Sequence, residues 1–204
     1  IVVLRDFLMV FQGNELSIGL IFASWMGWVG VGGYLGAVLS ARGWDSLELL
    51  RLSVGGLLLI LPVTIVFIRD LRGIFLIPTA APLSFVEIAA AAVLFPALAC
   101  VLLGLHFVLV VALCREQSPV TNTTAAGKIY VSEALGSALG GAAFALLLLH
   151  WLNPLQSLVG AGLLLLAVVT IGLRDAANPV PSVLWVLVLV AASIVWHLLG
   201  PLDT

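Results

Sequence analysis

The sequence predicts an all-α integral membrane protein, a bundle of about seven transmembrane helices of which the first is partial. Three observations carry this. Of 204 residues, 63% are hydrophobic and only 9% are charged, where a soluble domain carries about 25% charged residues. Mean hydropathy is +1.27. The apolar runs reach the roughly 20 residues that a helix needs to cross a bilayer core of about 30 Å. A barrel would instead show short alternating segments.

The elements follow from where charge, Gly, Pro and Asn interrupt the apolar runs. Residues 1 to 12 read as the end of a first helix, closed by QGN. The chain opens at Ile1 in apolar sequence and without a methionine, so residues before it are expected. A second helix runs from Glu15 to Ser40 and is closed by ARGWDS; a third runs from Leu47 to Ile68 and is closed by RDLRG. Residues 71 to 83, with Pro78 and Pro82, read as a connection. The fourth helix spans Ser84 to Leu113, with a kink expected at Pro96, because proline removes one helical hydrogen bond and crowds the preceding turn. REQSPVTNTTAAG is the most polar stretch and reads as a loop. A fifth helix is expected from Lys128 to Trp151, a sixth from Pro154 to Leu173 and a seventh from Pro181 to Leu199. The whole of 1–204 reads as a single transmembrane domain.

Loop charge gives a topology. Arg42, Arg51, Arg115, Lys128 and Arg174 collect on one side, and Arg5, Arg69 and Arg72 on the other. Excess Lys and Arg marks the cytoplasmic side. The first group would then be cytoplasmic and the C-terminus outside. A net charge of -2 points to neither a nucleic acid partner nor a strongly anionic surface. Cys100 and Cys114 share one predicted helix and read as small apolar packing residues, with neither a disulfide nor a metal site implied.

Ionisable groups inside a span are costly and usually face the bundle interior or a cavity. Glu133 is the foremost. It reads as a cation site or proton-linked group, or as a structural carboxylate paired with an Arg, Lys128 or a hydroxyl. Glu15 stands at a helix start, where a carboxylate also complements the dipole. Arg5 beside Asp6 reads as a local pair or an interfacial anchor. Two imidazoles on facing helices could ligate a haem, but His106, His150 and His197 show no supporting pattern, so no cofactor is expected. Motifs of soluble catalysis (GxSxG, GxxxxGK[ST], HExxH) are absent.

Gly32 and Gly36 form one GxxxG; Gly136 and Gly140, followed by Gly141, form another. Small residues four apart let helix backbones approach closely. Both copies read G-x-x-L-G, on the second and fifth helices. That spacing fits a transporter-like 3+3 repeat plus one helix.

FQGNELSIGLIFASWMGWVGVGGYLGA and KIYVSEALGSALGGAAF resemble the membrane part of large bacterial spermidine synthase-like proteins. The likeness rests on Arg5, on Gly13 to Ser17, on Pro96 followed by Gly104 to Phe107, and on Tyr130, Glu133 and Leu135 to Gly141. It implies a multi-pass inner-membrane domain fused to a soluble aminopropyltransferase half expected after Thr204. The glycine-rich nucleotide strand and aspartates of that half are not in this sequence, so no catalytic residue carries over. Such a half belongs in the cytoplasm, in conflict with the charge-derived topology. The resemblance also implies a ligand class. Polyamines are flexible cations, and Glu133 and Glu15 are the candidate carboxylates for a polyamine or small cation. The readings that follow are an anchor or polyamine pathway, a stand-alone transporter-like module for a small cation, and an accessory subunit contacting partner membrane subunits or further copies. Trp25, Trp28, Trp185 and Trp196 suit either such contacts or the lipid bilayer itself.

Overall fold

The computed structural model describes residues 2–11, 15–78, 83–117, 121–148, 156, 160–162 and 164. Among these the chain is helical throughout, without strands. The order is α1 (Val2–Val10), α2 (Glu15–Ala41), α3 (Ser46–Arg69), α4 (Leu71–Ile74), α5 (Phe85–Leu94), α6 (Ala97–Gln117) and α7 (Asn122–Ala143), which continues into one π-turn over Phe144–Leu148. Four stretches are long and apolar enough to cross a membrane: Leu16–Ala41, Ser46–Arg69, Phe85–Glu116 and Thr123–Leu146. At nine residues α1 is too short to do so. The expected seventh helix lies outside the described residues. Of the expected sixth, only 156, 160–162 and 164 are described, and they are helical.

The helix ends show why the breaks fall where they do. Asp45 caps α3, its Oδ1 accepting from the Leu47 and Glu48 amides at 2.8 and 3.4 Å. Gly43 precedes it at φ +78°, a conformation that glycine adopts without penalty. Ser84 and Glu87 form a reciprocal capping box at the start of α5. Each cap satisfies amide groups that a helix start otherwise leaves orphaned.

Four boundaries differ from expectation; the first is the end of α6, at Gln117 rather than Leu113, so the REQ of the expected loop is helical. The connection over 71–83 holds one short helix, α4, because Asp70 lets the chain turn and restart. The kink expected at Pro96 is a full break: α5 ends at Leu94 and α6 begins at Ala97. The fifth predicted helix starts at Asn122 rather than Lys128. Thr121 caps it, accepting from the Thr124 amide at 3.3 Å, so NTTAAG is helical and not loop.

Two apolar clusters hold the helices together. Phe7, Phe11, Ile21, Ile68, Leu71, Ile88, Ala91 and Ala92 join α1 through α5. Leu50 meets Leu105 and Leu109 between α3 and α6. α6 is the central element, packed on both α2 and α3. α7 touches α6, yet every residue from Tyr130 to Gly140 is exposed.

Candidate functional site

The closest helix contact is built from glycine. A Cβ at Gly32 would fall on the Val101 carbonyl, and one at Gly104 on the Val29 carbonyl. A Cβ at Gly36 would sit 3.1 Å from Val108 Cβ and 3.3 Å from the Leu105 carbonyl oxygen. α2 and α6 therefore meet backbone to backbone, as small residues permit in lipid. Gly32 and Gly36 lie in this contact. Gly104, their counterpart on α6, is a lone glycine outside any GxxxG, which is why spacing alone did not mark it.

The second glycine pair sits differently. Gly136 and Gly140 have open space where a Cβ would stand, and Gly141 is half-buried. The two G-x-x-L-G copies thus occupy unlike surroundings among the described residues.

Glu133 lies on the exposed run of α7. Among the described residues it makes no ion pair with Lys128 or Arg115. No described helix covers that face, and the expected sixth and seventh helices fall almost wholly outside the described residues. Glu15 is the first residue of α2, and its side chain lies outside what the structure describes. The structure does not bring these two carboxylates together.

The acid that is enclosed is Asp6, at 0% exposure, with Arg69 Nη2 at 3.5 Å from its Oδ1. Of the two readings of Arg5, a local pair with Asp6 or an interfacial anchor, the pair is not formed. Successive helical residues diverge by about 100°, so Arg5 faces outward while Asp6 turns in with Val3 and Val10. That shared stripe was the signal available in the sequence.

Two further polar contacts cross between helices. Trp28 Nε1 donates to the Val93 carbonyl at 2.9 Å. Val93 lies in the last turn of α5, where the break at Pro96 leaves carbonyls without helical partners. His106 on α6 faces Ser53 on α3, with Nδ1 at 3.5 Å from Ser53 Oγ. Ser53 spends its proton on the Leu50 carbonyl at 2.8 Å. The hydroxyl can then only accept, so this contact requires the Nδ1–H tautomer. His150 and His197 lie outside the described residues. Cys100 and Cys114 are free thiols, buried and half-buried respectively. Among the described residues no group of three His, Cys, Asp or Glu is placed to hold a metal ion.

The helix ends gather charge. Ser46 Oγ donates to Glu116 Oε1 at 3.1 Å, which sets the start of α3 beside the end of α6. Arg42, just past the end of α2, and Arg51, Arg115 and Lys128 on α3, α6 and α7 stand at this end by their positions. The opposite end carries Arg5, the Asp6–Arg69 pair and Arg72, whose Nη1 donates to the Pro78 carbonyl at 3.3 Å.

No family model matches the chain, and no curated protein or solved structure matches it significantly.

Proposed function

We propose that this chain is a multi-pass helical scaffold of the bacterial inner membrane, the anchoring domain of a spermidine synthase-like protein, and that it is not a polyamine pathway through Glu133. The observation that carries this is the α2–α6 contact. Helices that touch backbone to backbone at Gly32, Gly36 and Gly104 leave no room between them for a permeating cation. The aromatic and aliphatic cluster around Phe7 and Ile68 likewise fills the junction of α1 to α5. Glu133, the carboxylate that a cation pathway would need, is exposed and unpaired among the described residues. On this reading aminopropyl transfer belongs to a separate soluble half, and the seven-helix bundle holds that half at the membrane.

Two measurements test the reading. The native protein should have an intact mass well above 21.4 kDa, with peptides past Thr204 that carry a glycine-rich nucleotide motif. A native mass near that value removes the synthase link. Proteoliposomes holding the chain should take up labelled spermidine no faster than empty vesicles. Saturable uptake would establish a transporter instead.

A further inference from the structure

Arg51 stands in the apolar span Ser46–Arg69, five residues in from the start of α3 and so about 8 Å along its axis. An arginine so close to a helix end usually snorkels to the interface through lipid. Arg51 has that freedom only beyond its Nε. It shares a helix stripe with Val54, Gly55 and Leu58. Val54 and Gly55 are buried, and Leu58 fills the place where a Cβ on Gly162 would stand. Its Nε is enclosed and has no hydrogen-bond partner. The residue as a whole stays partly exposed, so the enclosure is incomplete.

Among the described residues, the acids at this end do not answer it. Asp45 spends Oδ1 on the α3 amides. Glu116 accepts from Ser46. Glu48, one turn earlier on the same helix, is exposed and makes no ion pair with Arg51. A guanidinium with an enclosed, unbonded nitrogen leaves a charged donor unsatisfied, which is costly. Its planar fork matches oxyanions such as phosphate. Arg42, Arg115 and Lys128 add positive potential at the same end.

We propose that Arg51 is an anion-binding residue that receives a phosphate group from an anionic lipid head group at the α3 start. Basic recesses between transmembrane helices are suited to such head groups. This goes beyond the scaffold reading and does not depend on it.

The test is native mass spectrometry of the whole protein, released from detergent containing phosphatidylglycerol or phosphatidylcholine. Wild type should retain phosphatidylglycerol at least about tenfold better than phosphatidylcholine, and Arg51→Gln should lose that preference. Arg115→Gln, at an exposed position, should keep most of it. Inorganic phosphate is the third arm. If millimolar phosphate abolishes lipid retention by binding in its place, the anion is free phosphate and the lipid assignment falls. Unchanged preference in Arg51→Gln overturns the proposal. Should that variant fail to fold, equal retention of the two lipids by wild type overturns it equally.

Discussion

Arg69 Nη2 lies 3.5 Å from Asp6 Oδ1, and this pair fastens α1 to the end of α3. Asp6 is wholly enclosed, whereas Arg69 retains 27% exposure. Removing one partner of a buried pair strands the other charge, and that penalty exceeds the worth of the pair itself. Asp6→Ala should therefore destabilise the protein by about 1–3 kcal/mol, less than for a fully buried pair because Arg69 keeps 27% exposure. The double variant Asp6→Leu, Arg69→Met should recover most of the loss. Unfolding midpoints in detergent decide the matter, and a silent Asp6→Ala would mean that α1 is held by Phe7 and Phe11 alone.

The glycine contact makes a paired prediction. Gly104→Val forces a side chain into the Val29 carbonyl and should cost about 1–3 kcal/mol or more. Gly32→Val should do the same against Val101. Gly136→Ala and Gly140→Ala meet open space. They should be neutral or stabilise α7 by up to about 1 kcal/mol, since alanine is the better helix former. Thermal midpoints of the four variants should separate into these two groups. Destabilisation by the α7 pair would show that α7 is covered, by residues of this chain beyond those described or by another chain.

Glu133→Gln should leave both the midpoint and the spermidine affinity unchanged in calorimetry. The reason is that Glu133 has no hydrogen-bond or ion-pair partner among the described residues, so no second group joins it in holding a cation. Loss of spermidine binding in this variant would reinstate Glu133 as a polyamine ligand.

Trp28→Phe keeps the apolar bulk but leaves the Val93 carbonyl without its cross-helix donor. It should cost about 0.5–1.5 kcal/mol, the net worth of one hydrogen bond, because Val93 is itself exposed. Trp25→Phe, whose ring is exposed and packs edge-on to Phe22, should change little. Equal midpoints for the two variants would remove Trp28 from the α2–α5 joint.

The second and third helices were legible within a residue at each end, because Asp45, Arg69 and the polar stretches beside them mark breaks in long apolar runs. The start of α7 was misread for a reason of the same kind. NTTAAG looks like loop by composition, but Thr121 supplies a cap and the helix begins there. Of the expected glycine contacts, the Gly32 and Gly36 face was visible as spacing, and its partner Gly104 was not. Periodicity reports which residues share a face of one helix; it carries no information about which helix lies opposite.

The sequence by itself determined the class of this protein. Apolar composition and run length decide that its helices suit a bilayer, since a backbone in lipid must satisfy its own hydrogen bonds. Only the tertiary structure decided which charges are enclosed. Asp6 is buried against Arg69, Arg51 is left with an unbonded nitrogen, and Glu133 is exposed. The physical reason is that a charge in an apolar run looks alike whichever way its helix faces. Its environment is set by neighbouring helices, and those are chosen by packing between residues far apart in the chain.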